Sequence, residues 1–128
     1  MPRFLLKKID LIEGKQAFLK LYKDEKCEFD EFCNEIEQEG RYLSELKTAF
    51  AYLEMVANLK MLPKEKMRDL TPKNELVKEY EIKTKHLRIY FIHQKQKGKI
   101  IILGGFKNMQ PKDIERFRVI KKQYLNTL

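Results

Sequence analysis

Ionisable side chains collect on residues 79–91 of this sequence. Apolar and polar residues alternate there with a period of two, which predicts two β-strands. A hairpin with a two-residue loop at Thr84 and Lys85 would place residue 81 opposite residue 88 and residue 82 opposite residue 87. One face then carries the apolar residues, of which we expect Ile82, Leu87, Ile89 and Phe91 to be buried under helices. The other is a polar face formed by Glu79, Glu81, Lys83, His86, Arg88 and Tyr90.

The residue types on this polar face suit a phosphodiester. Arg88 would hold phosphate oxygens with two parallel hydrogen bonds, lysines would neutralise developing charge, and His86 and Tyr90 would assist proton transfer. The alternative is a solvated sheet face on which Glu81 and Arg88 form a cross-strand ion pair worth only about 0.2–1 kcal/mol. The residues alone leave both interpretations open.

Other common chemistries have no support in the sequence. There is no P-loop, no GxGxxG after a strand, no HExxH and no GxSxG motif. With only two histidines, the chain offers little for a metal-centred hydrolase. Cys27 and Cys33 lie in an acidic segment without a second Cys or His pair, so we expect reduced structural thiols and no metal site.

Further elements must position the polar face. Residues 3–11 predict a first strand, and the acidic segment 13–39 predicts two short helices or a helix and a loop. A long amphipathic helix follows Gly40 and should end near Leu62, because Pro63 cannot continue it. Residues 64–73 are predicted to be a connection. A third strand at residues 99–103 is expected to end at Gly104 and Gly105, and a last helix begins near Pro111.

Charge is distributed unevenly along the 128 residues. The formal net charge is +8, but residues 1–60 sum to −2 (10 Lys and Arg against 12 Asp and Glu) and residues 61–128 sum to +10. Such a basic half is typical of a surface that meets nucleic acid, an acidic membrane face or an acidic protein. No apolar run approaches the ~20 residues of a membrane span, and the N-terminus lacks a signal-peptide core, so we expect a cytoplasmic protein.

The second half of the chain resembles the RelE/HigB superfamily of bacterial type II toxins. The similarity is carried by YEIKTKHLRIYFI, KIIILGGFKN and MQPKDIERFRVIKKQYL, and covers roughly residues 76–126. It implies a single α+β domain over residues 1–128, with an acidic elaboration at about 13–39. The implied sheet is antiparallel, with three C-terminal strands and an N-terminal strand. Helices cover one face of it, and the chain ends in a helix.

The resemblance also implies an activity, partners and site residues. The activity is metal-independent cleavage of mRNA, usually on the translating ribosome, and the partner is a cognate antitoxin that covers the site. The family's strand arginine falls on Arg88, its basic residue in the preceding strand on Lys83 and its loop lysine on Lys107. Asn108 stands where relatives usually have a second lysine. A non-catalytic RNA- or protein-binding module on the same fold is the alternative. The complete set of expected site residues is Arg88, Lys83, Lys107, Tyr90, Glu81 and His86 for catalysis and Lys85 and Arg116 for RNA binding, with no cofactor.

Overall fold

A single six-stranded sheet, covered by helices on both faces, organises the chain in the computed structural model, which describes all residues from Met1 to Leu128. The elements in chain order are β1 (Phe4–Lys8), β2 (Phe18–Lys23), α1 (Glu28–Glu39), α2 (Leu43–Ala57), β3 (Met67–Asp69), β4 (Lys78–Lys83), β5 (Leu87–Gln94), β6 (Gly98–Phe106), a 3₁₀ turn (Lys107–Met109) and α3 (Gln110–Leu125). The α+β class, the N-terminal strand and the C-terminal helix are as predicted.

The sheet is mixed, which corrects the expectation of a purely antiparallel one. Its strand order is β1-β2-β6-β5-β4-β3, and β2 runs parallel to β6 while all other neighbours are antiparallel. β2 lies inside the segment 13–39, for which only helices and loops were predicted. Phe18 is fully buried against the ring of Phe91, and Leu21 is buried on the opposite face. Both faces of β2 therefore contribute to the core, which explains why a simple alternation of polar and apolar residues is missing there.

α1 and α2 cover one face of the sheet, and the C-terminal α3 covers the other. Side chains of α1 and α2 pack with Ile82, Ile89 and Phe91, whereas α3 packs on Tyr90 and Ile92. The uninterrupted run at residues 100–103 is buried along its whole length. A continuous apolar run of this kind is typical of a strand covered on both sides.

The β4–β5 hairpin has a register two residues away from the predicted one. Glu81 pairs with Tyr90 and Lys83 with Arg88, and the backbone N–H of Thr84 donates to Leu87 O at 3.1 Å, so that the two loop residues are Lys85 and His86. A shift of two residues preserves the face on which each side chain lies. For that reason the predicted faces are correct, and Ile82, Leu87, Ile89 and Phe91 are buried as expected.

Element ends differ from the prediction where backbone conformation intervenes. α2 ends at Ala57, five residues before Leu62, and Leu59 adopts a left-handed φ of 65° that cannot continue a helix. β6 continues through Gly104 and Gly105 to Phe106. At these two positions a Cβ atom would overlap the Phe32 ring and the Asp113 carboxylate respectively, so the glycines allow α1 and α3 to approach the sheet.

No helix is both long enough and apolar enough to cross a bilayer.

Candidate functional site

The polar face predicted to bind phosphate is covered by α3. Glu81 and Tyr90 are 0% exposed, Glu79 is 1% exposed and Arg88 is 5% exposed. Glu81 and Arg88 do share this face, but they are diagonal neighbours and not an opposed pair. The expectation of an accessible site on this face is therefore wrong for Arg88, Glu81 and Tyr90, because the C-terminal helix packs where a substrate was expected to bind.

Arg88 contacts the backbone of the hairpin. Its Nη1 donates to Thr84 O at 2.6 Å and to Leu87 O at 2.8 Å, while its Nε has no hydrogen-bond partner in the protein. These bonds tie the guanidinium to the strand ends on either side of the loop that carries His86. Arg88 thus supports the loop and does not face a phosphate directly.

Tyr90 and Glu81 are equally inaccessible. The Tyr90 hydroxyl has no hydrogen-bond partner, and its ring centroid lies 5.6 Å from that of Phe117. Burial, reinforced by the nearby negative charge of Glu81, raises the pKa of Tyr90 well above the usual value for a phenol. Glu81 accepts a hydrogen bond from Gln110 Nε2 through one carboxylate oxygen, and its other oxygen lies 3.4 Å from Arg68 Nη2. Neither side chain is accessible to a ligand in solvent.

Other predicted residues come together in a cleft at the loop end of the hairpin, which we call the His86 cleft. It has a volume of about 590 Å³ and is lined by Tyr42, His86, Phe106, Lys107, Asn108 and Met109. The backbone N–H of Lys107 donates to His86 O at 2.8 Å, which fixes the two residues beside each other. Lys85 is exposed in the same loop as His86. Two predicted catalytic residues and one predicted RNA-binding residue are thus neighbours.

Two predicted residues lie apart from this cleft. Lys83 is half-buried on the covered side of β4, where its backbone N–H donates to Lys66 O at 2.8 Å. Arg116 is exposed on α3, forms an ion pair with Glu28 and lines a different surface depression. The expected grouping of Lys83 and Arg116 with the other site residues is therefore not observed.

Glu45 holds the histidine of the cleft in place. Its Oε2 is 2.7 Å from His86 Nδ1, and its Oε1 accepts hydrogen bonds from the His86 backbone N–H at 2.7 Å and from Thr84 Oγ1 at 2.6 Å. Partial burial by itself would raise the pKa of Glu45, but the hydrogen bonds from Thr84 and His86 outweigh it and hold that pKa below its usual value. An ionised Glu45 accepts a hydrogen bond from His86 Nδ1 when that nitrogen carries the proton. In the neutral ring, Nε2 is then free to accept a hydrogen bond.

Aromatic rings form one wall of the His86 cleft. The Tyr42 ring centroid lies 4.8 Å from that of His86 and 5.9 Å from that of Phe106. The guanidinium carbon of Arg41 is 5.0 Å from the centroid of the Tyr42 ring. The rings of Tyr42 and Phe106 are partly exposed. Accessible rings next to cations are the features with which proteins stack single-stranded bases and neutralise their phosphates.

Sequence reasoning missed Glu45, Tyr42 and Phe106. Glu45 is 41 residues from His86 in the chain, and in sequence it is one acidic residue in the first turn of α2. Only the packing of α2 against the sheet brings it to the loop. The sequence does contain a signal for Phe106, because this residue lies between the glycine pair and the predicted site residue Lys107.

Both cysteines are free thiols that lie in or against the core. Cys27 is buried and its Sγ accepts the Asp30 N–H at the start of α1, while burial raises the pKa of the Cys33 thiol to about 12. No three His, Cys, Asp or Glu side chains are grouped closely enough to hold a metal ion.

The chain matches no protein-family model, no curated protein and no solved structure.

Proposed function

We propose that this protein is a metal-independent endoribonuclease of the RelE/HigB toxin type, which cleaves mRNA in the His86 cleft and is neutralised by a cognate antitoxin. The observation that carries the proposal is the contact of His86 with Glu45 at 2.7 Å in a cleft that also contains Lys107 and two aromatic rings. A histidine oriented by a carboxylate, with its second nitrogen available, is suited to act as a general base.

The proposed reaction needs the groups of the cleft and solvent water. His86 Nε2 accepts the proton of a ribose 2′-hydroxyl, whose oxygen attacks the adjacent phosphorus. The bond from phosphorus to the 5′-oxygen breaks as this oxygen takes a proton from water, and the hydroxide that remains takes the proton from His86, so the products are a 2′,3′-cyclic phosphate and a 5′-hydroxyl and the base is restored. Because nucleophile and phosphate belong to the same nucleotide, proximity is built into the substrate. Lys107, with Lys85 nearby, stabilises the negative charge that develops on the non-bridging oxygens.

Arg88 acts in this proposal as a positioning residue. It bonds to the backbone of Thr84 and Leu87 from one side of the hairpin, and Glu45 bonds to Thr84 and His86 from the other. The loop is thereby held between two charged side chains, and His86 is its last residue. A general base needs such restraint, because displacement by about 1 Å can cost on the order of a hundredfold in rate.

The burial of Arg88 also favours a second candidate function, a non-catalytic RNA- or protein-binding module on the same fold. The family resemblance assigns transition-state charge to this arginine, but its guanidinium is bonded to backbone carbonyls and the residue is only 5% exposed. In that case Tyr42, Phe106 and Lys107 would bind single-stranded RNA, or a protein segment, that is then not cut.

The test is cleavage of end-labelled single-stranded RNA by the purified protein in the presence of a chelator. We expect His86→Gln to lower the rate by about 10²–10⁴-fold, the usual contribution of a general base. His93→Gln is the matched control, since His93 lies at the other end of β5 beside Lys99 and outside the cleft. Equal rates in the wild type and His86→Gln would exclude His86 as the base. RNA binding without cleavage by the wild type would favour the binding module.

Arg88→Met separates positioning from direct contact. If Arg88 acts through the loop, the variant should have a displaced pH–rate profile as well as a lower rate, because the restraint on His86 is lost. A lower rate with an unchanged profile would contradict the positioning role.

RNA affinity should also fall with salt. Lys107→Ala is expected to reduce the slope of log affinity against log salt by about 0.7, the contribution of one phosphate contact to a single strand. Arg116→Ala should leave the slope unchanged because Arg116 is remote from the cleft. Affinity independent of salt would exclude a phosphate-based interface.

Expression in bacteria tests the proposed toxicity and its neutralisation by an antitoxin. Induction of the wild type should arrest growth, induction of His86→Gln should not, and co-expression of the neighbouring small gene should restore growth. An antitoxin that masks the site should slow amide exchange at residues 84–86 and 106–109. Growth arrest by both forms would contradict a role for the cleft.

A further inference from the structure

A row of three basic side chains crosses the sheet at the end of β5 that is farthest from His86. The strand register pairs Lys78 of β4 with His93 of β5, and His93 with Lys99 of β6. Residues that pair directly on neighbouring strands lie on the same face of a sheet. The three side chains are therefore neighbours, and we call them the Lys99 row.

Lys99 is the buried member of this row. It is 7% exposed, and its Nζ donates hydrogen bonds to Gln16 Oε1 and, at 3.1 Å, to His93 Nδ1. Neither partner is a carboxylate. Burial lowers the pKa of Lys99, because no negative charge offsets the lost hydration of the ammonium group.

The other buried lysine has the compensation that Lys99 lacks. Lys121 is 3% exposed, and its Nζ lies 2.8 Å from Glu79 Oε2 and 2.9 Å from Val77 O. The carboxylate balances the charge of that ammonium group. A buried charge without such a partner is costly, and the group tends to become neutral instead. Lys99 is therefore placed to react as a neutral amine, and Lys121 is not.

The contact with His93 supplies a base. A desolvated lysine amine within hydrogen-bond reach of a proton acceptor is the arrangement of an activated nucleophile. Burial, together with the charge of Lys99, lowers the pKa of His93, so the imidazole is neutral near pH 7 and can accept a proton. His93 and Gln16 are half-buried, so the amine of Lys99 lies close beneath the surface.

Lys78 indicates which electrophile fits the row. Its side chain is exposed beside His93, in the part of the chain that carries the positive charge, and it can bind a phosphate group. A small acyl phosphate combines such a group with an electrophilic carbonyl carbon. Acylation would also replace the buried ammonium of Lys99 by a neutral amide that still donates one hydrogen bond, which removes the cost of the buried charge.

We propose that Lys99 is a self-acylation site that takes the acyl group of a small acyl phosphate, with His93 as the base. Lys99 Nζ attacks the carbonyl carbon, the bond from this carbon to the phosphate oxygen breaks, and the phosphate leaves. His93 Nδ1 takes the proton that the nitrogen releases and passes it to solvent, where the phosphate takes it up. The products are an amide on Lys99 and inorganic phosphate. This inference is independent of RNA cleavage, because the Lys99 row and His86 lie at opposite ends of β5.

The experiment is incubation of the full chain with acetyl phosphate at neutral pH, followed by mass spectrometry of the lysine-containing peptides over time. Lys99 should be acetylated about tenfold faster than the exposed Lys60, because each unit by which a pKa falls raises the neutral fraction of an amine about tenfold. Lys121 should be acetylated more slowly than Lys60, since it is buried and paired. In denaturing urea the three rates should converge.

Two variants test the roles of the neighbours. His93→Gln should slow acetylation of Lys99 by about a hundredfold, because glutamine accepts a hydrogen bond but not a proton. Slow acetylation of Lys121 in the same sample shows that this variant is folded. Lys78→Met should slow the reaction of Lys99 several-fold. Lys112→Met is the matched control, since it removes one exposed charge from α3 on the other face of the sheet, and it should leave the rate unchanged.

Three outcomes would overturn the proposal. Equal rates at Lys99 and Lys60 in the folded chain, or a preference for Lys99 that persists in urea, would mean that the fold does not activate the amine. An unchanged rate in folded His93→Gln would remove His93 as the base. Equal slowing by Lys78→Met and Lys112→Met would mean that net charge, and not the Lys99 row, attracts the acyl phosphate.

Discussion

Replacing Tyr90 by phenylalanine should stabilise the protein. The Tyr90 side chain is 0% exposed, and no protein atom forms a hydrogen bond with its hydroxyl. A buried hydroxyl without a partner costs about 1–3 kcal/mol of lost hydration. Removal of the oxygen forfeits roughly five dispersion contacts of about 0.1–0.2 kcal/mol each. The free energy of unfolding should therefore rise by about 0.5–2 kcal/mol, with each kcal/mol raising the melting temperature by about 3–5 °C for a chain of this size.

Tyr124→Phe provides the matched control on the same face of the sheet. Tyr124 is also buried, but its hydroxyl donates to Gln94 Oε1 at 2.7 Å. The same deletion of one oxygen should here lower the free energy of unfolding by about 0.5–1.5 kcal/mol, the net worth of an ordinary hydrogen bond. Urea unfolding followed by circular dichroism measures both changes.

Alkaline pH offers a second measurement on Tyr90. Burial, with Glu81 close by, raises its pKa, so the folded state retains a proton that the unfolded state begins to lose near pH 10. The stability linked to Tyr90 is fully present below pH 10 and falls as the pH rises above it. The Tyr90→Phe variant should show a shallower decline in that window. If Tyr90→Phe is destabilised as much as Tyr124→Phe, the hydroxyl has a partner and the reasoning is wrong.

Three further substitutions test the packing around α3 and the loop. Glu79→Ala should cost about 3–5 kcal/mol in urea unfolding, because it leaves the 3%-exposed Lys121 without its carboxylate at 2.8 Å. Gly105→Ala should cost about 1–3 kcal/mol through overlap with Asp113, and a double-mutant cycle with Asp113→Ala should recover part of that loss. Glu45→Gln should flatten the acid limb of the stability curve. The lowered pKa of Glu45 makes its contribution present above about pH 4.5 and lost as the pH falls, so an unchanged acid limb would contradict the hydrogen bonds assigned to it.

The alternation of polar and apolar residues could predict the faces of the β4–β5 hairpin but not its register. A pattern with period two is unchanged by a shift of two residues, so Ile82 stays buried whether it faces Leu87, as predicted, or Ile89, as observed. The loop at Lys85 and His86 is set by contacts of Thr84 with Leu87 and with Glu45. These contacts depend on α2, which sequence periodicity cannot place against the turn.

The alternation of polar and apolar residues also could not predict that the polar face is buried. Charged residues on alternate strand positions usually indicate a sheet face that is exposed to solvent. Here Glu79 and Glu81 have partners on other elements, among them Arg118 and Gln110 of α3, and Arg88 bonds to the backbone of its own hairpin. The continuous apolar run at residues 100–103 indicates a strand that is covered on both faces. That run predicts a helix on the face opposite α1, which is where α3 lies.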